Sequence, residues 1–208
     1  MNAVILAGGR NSRIQTNKAL LPIGGVPIIE RGIAVLGRLF DQILIVTNNF
    51  AAYEHLGLRM AADVIPGEGP LSGIHAGLTA SASYYNFFVA CDLPFLDERI
   101  IRPLMAAATD PDVIVPSWAA GLEPMHAIYS RRCVQPIERT LARGRHRVVD
   151  FYPEVKVETV DVSLLSAELD LGMCFMNVNT RADLETAEQL AALQEQTLQE
   201  RIRRGGRR

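Results

Sequence analysis

The chain reads as an α/β protein, a mostly parallel sheet covered by helices on both faces in three layers. Three observations predict this. Short apolar runs alternate with segments of helical period along the whole chain. Most of the strand-like runs are apolar without interruption, as strands buried on both faces are. The residues with chemistry to offer fall where those runs end, and open α/β sheets bind ligands outside the carboxyl ends of their strands.

The elements follow in order. Residues 4–6 (Val4, Ile5, Leu6) form a buried strand because nothing polar breaks them. Residues 28–40 read as a helix with Ile29, Ile33, Leu36 and Phe40 on one face, and residues 42–47 as a second apolar strand ending at Asn48-Asn49. A short helix over 51–56 and a short strand over 59–64 come next, then a helix over 74–82 and a buried strand over 87–91. A helix over 99–108, a strand over 112–116, a strand over 125–129 and a helix over 133–142 continue the alternation. Residues 156–160 alternate polar and apolar as a strand, and Phe175-Met176 begin a short apolar piece. Residues 181–202, rich in Ala, Glu, Gln and Leu, read as one C-terminal helix with Asp183 in its first turn, and 203–208 as a disordered basic tail without a function. No repeat or linker divides the chain, so residues 1–208 are expected to be one domain.

Composition narrows the class. A net charge of −2 gives no reason to expect nucleic acid or an anionic membrane as partner, and no apolar run is long enough to span a bilayer. The 3 cysteines lack zinc spacing and make no disulfide framework. With Met1-Asn2 leading directly into a strand, a reducing cytoplasm is the expected location.

The most informative stretch is Leu6-Ala7-Gly8-Gly9-Arg10-Asn11-Ser12-Arg13, with Lys18 beyond it. Paired glycines lack the Cβ atoms that keep a ligand away, and their N–H groups can face an anion. Arg13 can fork onto phosphate oxygens, and Lys18 brings a compact charge on a flexible stem. A Gly-Gly pair alone is more often an ordinary turn; the two cations and the first-strand position reverse that preference. The P-loop run is absent, and so is the third glycine of the dinucleotide fingerprint. Asp92 ends an apolar strand before Leu93-Pro94, where a carboxylate could hold Mg²⁺ together with substrate phosphates. A turn aspartate is the plainer reading of Asp92 taken alone. Gly69-Pro70-Leu71-Ser72-Gly73, with Gly77 beyond, reads as a second glycine-rich turn open to a base or sugar. Asn48 and Asp63 stand at strand ends and could meet a base and ribose, or only satisfy local backbone. His126 lies in an apolar strand, where a histidine is more often structural than catalytic. No nucleophile elbow or Cys–His pair is visible, so the parts suit nucleotidyl transfer, which needs alignment and charge neutralisation and no protein nucleophile.

Leu6-Ala7-Gly8-Gly9, Ser12-Arg13 and Lys18 to Glu30 resemble the opening of the sugar-nucleotide-transferase-like nucleotidyltransferases. Asp63, Gly69 to Ile74, Ala90 to Phe95, Glu123 to Ala127 and Phe175 to Thr180 resemble one branch of them, the molybdenum cofactor guanylyltransferases, over nearly the whole chain. The resemblance implies a Rossmann-like fold of nucleotidyltransferase type and an Mg²⁺-dependent reaction of GTP with molybdopterin-bound molybdenum, giving the guanine dinucleotide cofactor and pyrophosphate. It implies nucleotide contacts from Leu6, Ala7, Gly8, Gly9, Lys18, Asn48, Asp63, Pro70, Leu71, Gly73 and Asp92. It also implies Arg13, Lys18 and Asp92 as catalytic residues, Asp92 as metal ligand, and His126, Asn177 and Asn179 toward the pterin acceptor. Other cofactor-maturation proteins are compatible partners. A cytidylyl- or sugar-phosphate nucleotidyltransferase is the alternative among enzymes, and a GTP-binding accessory protein without turnover the alternative of another class. One departure stands out. Where the family has Met, paired glycines and an Asp before the lysine, this chain has Ile14-Gln15-Thr16-Asn17, which removes any metal or base contact of that acid.

Overall fold

A computed structural model describes residues 1–8, 17–63, 65 and 69–205. The chain opens with strand β1 (Asn2–Leu6), the antiparallel pair β2 (Pro22–Ile23) and β3 (Val26–Pro27), and helix α1 (Ile28–Leu36). Strand β4 (Ile43–Val46) leads through the 3₁₀ turns Phe50–Ala52 and Glu54–Leu56 to β5 (Arg59–Ala61) and helix α2 (Pro70–Ala80). Then come β6 (Tyr85–Ala90), α3 (Glu98–Ala107), β7 (Val113–Trp118), β8 (Gly121–Leu122), β9 (His126–Ser130) and α4 (Val134–Ala142). The last elements are β10 (Val157–Asp161), the short α5 (Leu171–Cys174) and α6 (Arg181–Gly205).

The main sheet has the order β10-β7-β9-β6-β1-β4-β5, with β8 paired to β7. Strand β1 is parallel to β4 and β6, β4 to β5, and β7 to β10. Strand β9 runs antiparallel to both of its neighbours. The chain between β7 and β9 is too short for a crossover helix, so the strand must reverse. That reversal carries the start of β9 to the same edge as the carboxyl end of β6, with His126 opposite Val89.

Successive side chains of the central strands supply opposite layers, as the two-residue period requires. Val4, Leu6, Leu44, Val46 and Phe88 pack with Leu71, Ile74 and Leu78 of α2 and Ile137 and Leu141 of α4. Ala3, Ile5, Ile45, Phe87 and Val89 pack on the other face with Ile29 and Leu36 of α1 and Ile101 and Leu104 of α3. The expected three layers and mostly parallel sheet are therefore present.

Four expectations are corrected. Helix α1 stops at Leu36, not at Phe40; 3₁₀-type bonds from Arg38 and Leu39 tighten its end, and Phe40 still reaches the core from outside the helix. Helix α2 begins at Pro70, because proline at the first helical position has the right φ and no N–H to satisfy. Only Gly69, at φ +126°, is the turn glycine there. A Cβ on Gly77 would lie 2.5 Å from Phe88 Cε1 and 2.8 Å from Val4 Cγ1, so this glycine lets α2 sit close on the sheet rather than opening a path for ligand. The strand before Asp63 ends at Ala61, and Val64 lies outside the described residues. Finally, α6 runs to Gly205, so 203–205 are helical rather than a disordered tail, and 206–208 lie outside the described residues.

Candidate functional site

The carboxyl ends of β1, β4, β5 and β6 meet at one edge, stitched together by main-chain bonds. Ala7 N–H donates to Val46 O at 2.8 Å, Thr47 N–H to Ala61 O at 2.9 Å and Cys91 N–H to Leu6 O at 3.2 Å. Leu6 and Leu71 are buried in the core, which leaves only their main chains for a ligand, whereas Gly8 and Pro70 are exposed. Gly73 is also buried; a Cβ there would lie 3.2 Å from Leu6 Cδ2, so it too serves the contact between α2 and β1. Gly9 and Arg13 lie outside the described residues.

Asp63 faces Gly8: a Cβ on that glycine would lie 4.0 Å from Asp63 Oδ2. Asn48 accepts the Asp63 N–H at 3.0 Å, so its amide holds the aspartate's backbone in place. The Asp63 Oδ1 atom is buried and has no hydrogen-bond partner among the described residues. Burial raises the pKa of this carboxyl, and the nearby His75 opposes that rise.

Asp92 sits in the turn after β6, and its Oδ1 is likewise buried without a partner among the described residues. Burial raises its pKa, opposed by its own backbone N–H and by the charge of Lys18. A desolvated carboxylate with an unused oxygen is costly unless a cation completes it. Among the described residues no group of three or more His, Cys, Asp or Glu is placed to hold a metal ion by itself. One protein carboxylate is the donor set of a hard cation that takes its remaining ligands from phosphate and water. Next to Asp92, burial pushes the Cys91 thiol up to about 12, so it stays protonated and is no nucleophile at neutral pH.

Lys18 opens a 3₁₀ turn (Lys18–Leu20) that Asn17 caps: Asn17 Oδ1 accepts the Ala19 N–H at 3.2 Å and the Tyr53 hydroxyl at 3.0 Å. The Lys18 ammonium donates to Asn179 Oδ1 at 2.9 Å. The Asp92 carbonyl accepts the Val178 N–H at 2.9 Å, which draws the segment before α6 against the end of β6. Residues expected at the nucleotide and residues expected at the acceptor thus meet at Lys18 and Asn179. Asn177 is exposed, its amide donating to Phe175 O at 3.3 Å.

His126 is placed differently from the expectation of acceptor contact. It is 1% exposed, edge-on to Phe87 and Phe175, and neither ring nitrogen has a partner among the described residues. Burial lowers its pKa to about 3. A ring without surface packs the floor of the edge and cannot touch a substrate. A cleft of about 440 Å³ between α1, the segment from Pro94 to the start of α3, and α5, with Gln194 of α6 at its side, is lined by none of the expected site residues.

Two residues of this cluster were missed in the sequence. Tyr53 carries no local signal, because its phenol reaches Asn17 only through the fold. Asp183 does more than favour the helix dipole: Thr180 and Asp183 stand at the spacing of a capping box, the local signal that marks it.

The MobA-like NTP transferase domain matches residues 3–157 of this chain. A protein of Pelotomaculum thermopropionicum named probable molybdenum cofactor guanylyltransferase is 41% identical over 188 residues, which is 90% of this chain and 92% of that protein. The chain belongs to this family. A second member, the molybdenum cofactor guanylyltransferase of Desulfosudis oleivorans, is 37% identical over 191 residues, 90% of this chain and 94% of its own length. The crystal structure of molybdopterin-guanine dinucleotide biosynthesis protein A from Archaeoglobus fulgidus shares the fold, with a TM-score of 0.78 and 24% identity over 92% of this chain and 99% of that one. Among the described residues no helix of this family member is long and apolar enough to cross a membrane.

Proposed function

We propose that this protein transfers the guanylyl group of GTP to molybdopterin-bound molybdenum cofactor, forming the guanine dinucleotide cofactor and releasing pyrophosphate. The observation that carries the reading is a buried Asp92 oxygen without a hydrogen-bond partner among the described residues, under the influence of the Lys18 cation at one strand edge, in a chain of this family. In this reading the acceptor's phosphate attacks the α-phosphorus of GTP and pyrophosphate leaves. The main chain from Leu6 to Gly8 lies along the nucleotide, and the absence of a Cβ on Gly8 leaves room between it and Asp63. Asp63, held by Asn48, takes a nucleoside donor group on the oxygen that has no partner among the described residues. Lys18 holds triphosphate oxygens and neutralises charge that develops on them, for which no proton transfer from the protein is needed. Asp92 would hold Mg²⁺, which when bound supplies Lewis-acid neutralisation of the triphosphate. Gly9 and Arg13 are assigned to the phosphates on the sequence alone, and Asn177 and Asn179 to the acceptor side.

The test is pyrophosphate release from GTP with Mg²⁺ and a molybdopterin-containing acceptor, with CTP as competitor. GTP-dependent release that CTP does not match supports the reading. GTP binding without release points instead to an accessory role, and a preference for CTP to a cytidylyltransferase.

A further inference from the structure

The proposed role of Lys18 requires that a flexible four-carbon stem deliver its ammonium to one place. A lysine left to solvent samples many rotamers, and ordering it at the moment of reaction is unfavourable. Here the ammonium is already held, by the side-chain oxygen of Asn179 at 2.9 Å. That acceptor is neutral and is the one hydrogen-bond partner of the ammonium among the described residues, so within them the charge and two of three donors remain for phosphate. A carboxylate in its place would pair with the lysine and compete with the triphosphate.

Asn179 is in turn held by α6. Asp183 Oδ2 accepts the Asn179 N–H at 2.8 Å and the Thr180 N–H at 2.7 Å, while the Asp183 N–H donates to Thr180 Oγ1 at 3.2 Å. One carboxylate oxygen therefore both closes a capping box and extends it one residue outward, onto the residue that holds the lysine. An ordinary cap needs only the bonds between Thr180 and Asp183. The bond to Asn179 is the additional one.

We propose that Asp183 is a positioning residue for the transfer reaction: through Asn179 it sets the place of the Lys18 ammonium, so that the first turn of α6 positions a phosphate-binding cation. The inference rests on the function proposed above for Lys18, but its structural half is testable without turnover. The full-length protein is treated with acetic anhydride, and the rate of Lys18 acetylation is followed by mass spectrometry. Asp183→Ala is expected to raise that rate severalfold in the absence of GTP and to lower kcat by about tenfold, the scale of a slightly misplaced charge, with little change in KM for GTP. Asp183→Asn keeps an oxygen for both N–H groups and is expected to restore both readouts. Thr180→Ala removes the hydroxyl side of the cap and is expected to lower the melting temperature while leaving Lys18 acetylation at the wild-type rate. Unchanged Lys18 acetylation in Asp183→Ala overturns the proposal, as does an equal rise in Thr180→Ala. Failure of GTP to protect Lys18 in the wild-type protein would instead refute the phosphate role of that residue and leave the acetylation comparison standing.

Discussion

The phenol of Tyr53 donates to Asn17 Oδ1 at 3.0 Å, and the same oxygen caps the turn that carries Lys18. Position 17 carries an amide where the resemblance described above implies an acid. The side-chain oxygen there serves local structure, a task an amide performs as well as a carboxylate. Tyr53 is 2% exposed and burial pushes its hydroxyl up to about 12, so it remains a donor at every working pH.

Removing the donor therefore has a definite sign. Tyr53→Phe leaves the Asn17 oxygen one bond short and is expected to cost about 1 kcal/mol. Asn17→Ala loses the cap as well and is expected to cost about 1–2 kcal/mol. Asn17→Asp keeps both acceptor contacts and should unfold within about 0.5 kcal/mol of wild type. Urea denaturation of the three variants checks the order.

Asp92 pulls stability and activity in opposite directions. Its buried oxygen has no partner among the described residues, so the ligand-free fold carries an unfavourable charge there. Asp92→Asn is expected to leave the melting temperature unchanged or raise it, while GTP-dependent pyrophosphate release is abolished. Lys18→Ala is expected to lower the rate by about 10²–10³, the effect of losing one preorganised charge stabiliser. Near-normal turnover in Asp92→Asn would refute the metal assignment.

His126 predicts a pH dependence. Its folded pKa, about 3, lies below the ordinary histidine value of 6.5, so between those values the unfolded chain binds the proton and the folded one does not. Stability from this site is fully present above about pH 6.5 and is lost as the pH falls toward 3, at a limiting slope of about 1.4 kcal/mol per pH unit. Asp63, Asp92 and Glu123 have raised values and act with the opposite sign in acid. Comparing wild type with His126→Phe cancels them: the variant, suited to the Phe87 and Phe175 contacts, should gain on wild type as the pH is lowered from 6.5 to 4. Parallel stability curves would contradict the neutral buried ring.

Two glycines of α2 should respond unequally. A methyl group at Gly77 meets Phe88 Cε1 at 2.5 Å and Val4 Cγ1 at 2.8 Å, both fixed in the core. Gly77→Ala is expected to cost about 1–3 kcal/mol and lower the melting temperature by several degrees. A methyl group at Gly73 meets the tip of Leu6 at 3.2 Å, which can shift. Gly73→Ala should cost less, and calorimetry distinguishes the two.

The layers, the parallel strands and the edge that carries the site were legible in the chain because they follow from local, periodic properties. The apolar runs over 4–6 and 42–47 are short and bounded by turn residues, as buried strands are, and helix-period segments between them make crossovers. Gly8, Asp63 and Asp92 stand out in the sequence because each lies at or near the end of an expected strand. The reversal of β9, the missing hydrogen-bond partners of His126 among the described residues and the use of Gly73 and Gly77 for packing were not legible in the same way. Each depends on what lies opposite in space, and a run of residues does not state its neighbour.

The same division holds at Lys18. The sequence alone supplied the cation and the loop that carries it, since charge and glycine are properties of single residues. Tertiary structure decided what holds the cation, because Asn179 and Asp183 lie far along the chain and reach it only when α6 begins against the end of β6. A hydrogen bond depends on a separation of about 3 Å and a direction, and folding alone sets both.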